Sequence, residues 1–280
     1  MNERVAPQKN RSVLGVKIRV KIEVIQMKLF MGWSKKIGLV STALLGSLFI
    51  GNLSVEALTE QQIIQKLGTV PVFTITNEQG ALITLSISQE DNQRIPVAGA
   101  FISMEDAQKF IEQRINKGNS GLTAQVAVVS IADIYQLDQD NQNNPEGVDF
   151  VFVPVQQQVE SAMDLLRQRG HQVEQFPDVP LFYATAGENP SYITTQQNGQ
   201  PIVPLFFDKA QLQQQVVDRY KEANPEIAPT VKIQVLSLGR LIELWKTQDD
   251  PALNQFVLWP SPESLDLLQR LSSSRQNTPQ

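Results

Sequence analysis

The chain contains a single histidine, His171, which is the residue type best suited to acid–base chemistry near neutral pH. It follows Arg169-Gly170, a combination typical of the end of a helix. A catalytic base needs a positioned partner, whereas helix ends commonly carry histidine because its charge complements the helix dipole. We therefore interpret His171 as a surface residue near a helix C-terminus.

The acidic segment from Asp138 to Gly147 resembles the beginning of a calcium-binding loop. Its sixth position is Asn143, where such a loop needs glycine, and its twelfth is Asp149, where glutamate is usual. We interpret the segment as a solvated connector. A second acidic pair, Asp249-Asp250, precedes Pro251 and predicts a turn at a helix end.

Composition excludes several kinds of site. The 280 residues include no cysteine, so disulfides, iron–sulfur clusters, thiol catalysis and cysteine-based zinc sites are ruled out. With one histidine, a histidine-rich metal site is excluded as well. Because no phosphate-binding loop, nucleophile elbow or metalloprotease motif occurs, the sequence predicts neither a catalytic residue nor a cofactor or metal ligand.

Charge is divided unevenly along the chain. Residues 1–57 hold nine basic and three acidic residues, which leaves 15 basic and 26 acidic residues in 58–280. The body therefore has a net charge of −11, whereas the whole chain has −5. An acidic body argues against nucleic-acid binding.

The basic N-terminal part predicts an export signal over residues 27–57. Lys35-Lys36 precedes an apolar run over 37–50, and Val55-Glu56-Ala57 is an acceptable cleavage pattern that ends at Ala57. An uncleaved anchor is the alternative, although the run is shorter than the ~20 residues of a spanning helix. Residues 1–26 do not fit a signal, and we interpret them as an over-extended start, although Val16–Val24 alternates like a strand.

The body predicts an internal duplication. Val70-Pro-Val-Phe73 recurs as Val179-Pro-Leu-Phe182, and three further segments recur in the same order. These are 100–103 with 205–208, 123–131 with 230–238, and 150–154 with 256–260. Chance similarity of short apolar strands explains single matches but not their common order.

Each repeat predicts the same succession of strands and helices. Gly80 and Asn198-Gly199 mark turns, and Ser103 and Asp208 are expected helix N-caps. The closing helices are expected at Val159–Arg169 and Glu263–Leu271. This mixture predicts an α+β fold of two similar lobes related by a pseudo-twofold axis. The first repeat covers 58–178, the second covers 179–271, and 272–280 is expected to be a flexible tail.

The segments Leu67–Ile75 and Phe101–Ala107, the paired Val-Pro-x-Phe motifs and the layout behind a signal peptide resemble the Tic22-like family. Members in chloroplasts belong to the import machinery of the envelope, and cyanobacterial members are periplasmic. The resemblance implies a cyanobacterial or plastid source, no enzymatic activity and no cofactor. It also implies a chaperone-like role in outer-membrane protein biogenesis, with unfolded outer-membrane proteins and the Omp85-type barrel assembly machinery as partners.

Two tryptophans are candidates for contact with such clients. Trp245 matches the polar Asp138 in the repeat, and Trp259 matches Val153 at a strand end. Each side chain either lines an apolar groove or packs in an asymmetric core.

Three functions remain open from the sequence. The first is a carrier for unfolded outer-membrane proteins, and the second is a structural component of an envelope complex. The third is an enzyme with a site assembled from scattered carboxylates. The expected compartment is the periplasm, with the thylakoid lumen or the intermembrane space of a plastid as alternatives.

Overall fold

The computed structural model describes residues 21–28, 57–88, 94–117, 123–141, 144 and 147–276. The predicted signal peptide therefore lies almost entirely outside the described residues. The strands are β1 (Lys21–Lys28), β2 (Pro71–Asn77), β3 (Ala81–Ser88), β4 (Arg94–Phe101), β5 (Ala124–Ser130), β6 (Asp149–Val153), β7 (Pro180–Ala186), β8 (Ser191–Tyr192), β9 (Thr195–Gln197), β10 (Gln200–Phe206), β11 (Lys232–Ser237) and β12 (Phe256–Trp259). The helices are α1 (Glu60–Leu67), α2 (Met104–Phe110), α3 (Ile131–Asn141), α4 (Gln156–Arg167), α5 (Lys209–Leu212), α6 (Asp218–Ala223), α7 (Leu238–Thr247), α8 (Pro251–Asn254) and α9 (Pro262–Gln276). A π-helical segment, Ile111–Asn116, continues α2, and another, Gln213–Val217, joins α5 to α6.

Local sequence signals place several element ends, as predicted. The side chain of Ser103 accepts a hydrogen bond from the backbone of Asp106, and that of Asp208 accepts one from Gln211, so both residues cap helices. Gly80 has a φ of 78° in the turn between β2 and β3. Asn198 and Gly199, with φ of 51° and 76°, form the turn that connects β9 to β10.

The strands form two mixed sheets with a common order in their central part. In the first sheet β5 pairs with β2, β2 with β4 and β4 with β6. In the second, β11 pairs with β7, β7 with β10 and β10 with β12. In both sheets only the last pair is parallel. β1, which overlaps the alternating stretch 16–24, pairs with β3 at the edge of the first sheet.

Alternation along the strands sends neighbouring side chains to different cores. Val72 and Leu181 belong to a central core between the sheets, to which α1, α3 and α7 also contribute. Phe73 belongs to a first-half core with Phe101, and Phe182 belongs to a second-half core. Because side chains on a strand point alternately to opposite faces, each sheet is covered on both sides.

The two closing helices, α4 and α9, each pack on the other half of the chain. α4 follows β6 of the first sheet, yet it packs against β7 and β11 and buries Ala162 in the second-half core. α9 follows β12 of the second sheet, yet its Leu267 packs against the first-half core. The segments 58–178 and 179–271 are therefore interleaved in space.

The C-terminal helix is longer than predicted. α9 continues to Gln276, so residues 272–276 of the expected flexible tail are helical, and 277–280 lie outside the described residues. No glycine or proline interrupts the chain between Pro262 and Pro279, so the backbone hydrogen bonds of the helix can continue past Leu271.

Candidate functional site

Trp245 lies in the central core with none of its surface exposed. Its Nε1 donates a hydrogen bond of 3.0 Å to the carbonyl of Leu253, which satisfies the only polar group of the side chain. Of the two roles considered from the sequence, this position fits packing in an asymmetric core.

Lys66 covers one face of the Trp245 indole, with its Nζ 5.5 Å from the ring centre. The same ammonium donates to the carbonyl oxygens of Asn254 (2.8 Å) and Phe256 (2.9 Å), so it ties α1 to α8 and the beginning of β12. Burial lowers the pKa of Lys66, because removal from water disfavours the charged form.

Trp259 has a different environment at the end of β12. Its ring centre lies 5.8 Å from that of Phe206, and the side chain is half-buried at the rim of the second-half core. Its Nε1 is buried without a hydrogen-bond partner among the described residues. Gln211 donates from Nε2 to the carbonyl of the next residue, Pro260, at 3.4 Å, while its own Oε1 is buried and also lacks a partner within the described part of the chain.

A cluster of three aromatic side chains, which we call the Tyr192 cluster, extends the central core to the surface. It consists of Tyr183, Tyr192 and Phe256. The Tyr192 ring meets that of Phe256 edge to face at 5.1 Å and lies 5.7 Å from that of Tyr183. Tyr192 remains 40% exposed. Burial raises the pKa of Tyr183 and of Tyr192, and the charge of Asp250 adds to the effect at Tyr192.

Sequence reasoning missed the Tyr192 cluster. The only local signal is an aromatic residue inside a turn-rich segment, Glu188-Asn-Pro-Ser-Tyr192. When the matching segments that begin at Val70 and Val179 are aligned, Tyr183 falls opposite Thr74, so the first segment has no aromatic residue at this position.

A surface depression of about 550 Å³ lies beside β11, the edge strand of the second sheet. Leu165 and Ile233 supply apolar lining, and Arg169 and Lys232 supply positive charge. The Arg169 guanidinium donates to the carbonyl of Ile233. Arg169 thus covers one backbone acceptor of an edge that an added strand would otherwise use.

The described residues offer no set suited to acid–base or metal chemistry. They contain no group of three or more histidine or carboxylate side chains able to hold a metal ion, and their buried polar residues include no carboxylate. His171 is exposed just beyond α4, as predicted. The prediction of a connector from Asp138 onward was wrong for residues 138–141, which form the last turn of α3. No helix in this part of the chain is both long and apolar enough to cross a bilayer.

The described residues therefore present apolar and aromatic contact area at two places on the surface, the Tyr192 cluster and Trp259. Tyr192 stands on rings that are anchored in the central core, so little side-chain freedom is lost when a partner packs against it. Trp259 adds an indole at the rim of a second core. Neither place presents a buried charge to a partner, since the buried polar residues of the described segments are threonine, serine and glutamine.

Comparison with known proteins gives a consistent result. The model of the Tic22-like family matches residues 33–269. The solved structure of Tic22 from Anabaena, described as a protein of protein transport, is 33% identical, with a TM-score of 0.67 over 76% of this chain and 97% of that one.

A more distant structure, Tic22 from Plasmodium falciparum, shares the fold at 22% identity, with a TM-score of 0.55 over 76% of this chain and 98% of that one. A search of the curated proteins found no match. The family match spans most of the chain, and the Anabaena structure agrees in both sequence and fold. The chain therefore belongs to the Tic22-like family.

Proposed function

We propose that this protein is a soluble, exported, chaperone-like factor in protein translocation and outer-membrane protein biogenesis, and that it binds unfolded barrel precursors. The observation that carries the proposal is the Tyr192 cluster, an aromatic surface continuous with the central core. Membership of the Tic22-like family and the protein-transport role of the Anabaena relative support it.

The physical requirement is a surface that matches the client. Strands of an unfinished barrel carry alternating apolar residues and unpaired edges, and they aggregate in water. A carrier must cover part of that apolar surface while its own rim stays wetted. Tyr192 suits this task because the residue is 40% exposed and its hydroxyl gives the apolar patch a polar edge.

Location, processing and partners belong to the same proposal. We place the protein in the periplasm after cleavage behind Ala57, with the Omp85-type barrel assembly machinery as the acceptor of its clients. We propose that the protein is not an enzyme. Its acidic body, with 15 basic and 26 acidic residues in 58–280, is suited to keeping the protein in solution.

We also infer that the two halves are repeats related by a pseudo-twofold axis. The support is the register of the sheets. Phe73 pairs with Phe101 in the first sheet, and Phe182 pairs with Phe206 in the second, at positions that correspond in the repeat. Pro71 opposite Ser130 has a counterpart in Pro180 opposite Ser237.

The test is capture of an unfolded outer-membrane barrel protein diluted from urea, followed by light scattering. The exported protein at equimolar ratio should reduce the scattering, without nucleotide or metal. Unchanged scattering would contradict the proposed carrier function. It would favour a role as a structural component of an envelope complex. Crosslinking in cells, followed by identification of the captured proteins, then separates the two by the presence or absence of barrel precursors.

A further inference from the structure

The backbone nitrogen of Leu58 donates a hydrogen bond of 2.9 Å to the carbonyl of Trp245. The side chain of Leu58 packs, partly buried, against the central core. The next residue, Thr59, caps α1 through a reciprocal pair of bonds with Gln62. Leu58, the first residue behind the predicted cleavage position, is thus held by both its side chain and its backbone.

The acceptor of this bond lies in the last turn of α7. The last four carbonyls of a helix lack partners within the helix. The carbonyl of Leu244 is reached by the backbone of Gln248 at 2.9 Å, and that of Trp245 is reached by Leu58. The end of a helix also carries partial negative charge, which favours a cation there.

We propose that hydrolysis of the Ala57–Leu58 peptide bond creates an α-ammonium group that remains on the Trp245 carbonyl, so that processing replaces the amide donor at the end of α7 by a charged one. Water supplies the hydroxyl that leaves Ala57 as a carboxylate. The C–N bond breaks, and the Leu58 nitrogen takes up protons to become the ammonium. The inference rests on the predicted cleavage position and does not depend on what the protein binds.

Three charged side chains belong to the helices that hold this contact, namely Glu60 and Lys66 on α1 and Lys246 on α7. Glu60 on α1 and Lys246 on α7 both approach Tyr135 of α3, the lysine with its Nζ 5.0 Å from the ring centre. Lys66 lies over the Trp245 ring, but its ammonium is bound to the carbonyls of Asn254 and Phe256, so the Trp245 carbonyl is left to the new amine. A charged donor strengthens the bond to the Trp245 oxygen relative to an ordinary amide.

This arrangement predicts a pH dependence with a definite direction. Stabilisation of the ammonium holds its folded-state pKa above the ordinary α-amino range of about 7.7–8.0. The added stability is therefore complete below that range and is lost as the pH rises through the folded-state pKa.

The experiment starts from the full chain, exported in cells with its own leader and purified after processing. Sequencing of the N-terminus should give Leu58. The control is a variant with one glycine inserted between Ala57 and Leu58, which moves the amine away from Trp245 after cleavage. If the insertion prevents cleavage, the processed wild-type protein acetylated at its α-amine provides the same comparison.

Thermal melts of the two proteins are then recorded from about pH 6 to about pH 10. The wild-type melting temperature should be about 2–4 °C higher than that of the control at the acidic end, which is the effect expected of one charged hydrogen bond in a chain of this length. The gap between the two melting temperatures should close at the alkaline end. A different N-terminus, or a gap that is absent or does not change with pH, would overturn the proposal.

Discussion

The Oε1 of Gln158, in the closing helix of the first half, accepts a hydrogen bond of 3.0 Å from the backbone of Lys209, at the start of α5 in the second half. The Nε2 of the same side chain donates to the N-cap residue of α5, Asp208, at 2.9 Å. In the opposite direction, the carboxylate of Glu263 on α9 accepts from the backbone amides of Met104 and Glu105 at the start of α2. The closing helices therefore cap the helices of the half that they cross to.

Substitution of Gln158 should weaken the capping of α5 by α4. Gln158→Ala leaves the Lys209 amide and one oxygen of Asp208 without their partner in a site where Gln158 is only 8% exposed. We expect the free energy of unfolding in urea to fall by about 1–3 kcal/mol. The exposed neighbour provides the control, since Gln157→Ala should change it by no more than about 0.5 kcal/mol. Equal effects of the two substitutions would contradict the capping role.

Substitution of the two tryptophans should lower the free energy of unfolding by different amounts. Trp245→Ala removes a fully buried side chain and the bond to Leu253, so we expect a loss of about 3–5 kcal/mol. Trp259→Ala removes a half-buried side chain at the rim of the second-half core, so the loss should be clearly smaller. Urea unfolding of both variants checks the order, and an equal or larger loss for Trp259→Ala would reverse the assignment of core and rim.

Capture of a client should depend on Tyr192. Tyr192→Ala removes the exposed ring of the Tyr192 cluster and should weaken suppression of scattering about two- to tenfold, which corresponds to one aromatic contact of about 0.5–1.5 kcal/mol. Because the ring also packs against Phe256 and Tyr183, the melting temperature should fall by a few degrees, so capture is compared at a temperature at which both proteins remain folded. Ile227→Ala, at a side chain 38% exposed elsewhere on the surface, is the matched control. If both variants capture equally well, the Tyr192 cluster is not the contact.

Capture should also change little with salt. The proposed contact is apolar, and a body with 15 basic and 26 acidic residues does not favour charge-driven binding to acidic clients. Salt screening weakens only the electrostatic interactions between exposed charges. Titrations at about 0.05 M and about 0.5 M salt should therefore give similar midpoints. A steep loss of capture at high salt would point to a charged contact instead.

The partly buried ammonium of Lys66 should change how the stability of the protein depends on pH in alkaline solution. Its pKa is lowered by burial, so between the folded-state and unfolded-state pKa values the folded protein binds fewer protons. The free energy of unfolding contributed by this group therefore rises with pH in that interval. The difference in stability between the wild type and Lys66→Met should shift in favour of the wild type from about pH 8 to about pH 10. The exposed Lys232, replaced in Lys232→Met, controls for the loss of one positive charge, and a difference that does not vary with pH would contradict the desolvation of Lys66.

Much of the local structure was predictable from the sequence because the interactions responsible are short in range. Ser103 and Asp208 cap helices by bonds to residues three positions ahead. Gly80 and Gly199 adopt positive φ in turns that connect adjacent strands. The paired Val-Pro-x-Phe segments became β2 and β7 because alternating apolar residues suit a strand covered on both faces.

The sequence by itself determined the strands, the caps, the turns and the resemblance to the Tic22-like family. Only the tertiary structure decided that α4 and α9 cross to the opposite halves, that Trp245 lies in the core, and that Tyr192 joins Phe256 at the surface. These features depend on residues brought together from distant parts of the chain, such as Gln158 with Lys209. A helix pattern specifies which face is apolar, but the sheet that receives this face is set by the packing of the whole chain.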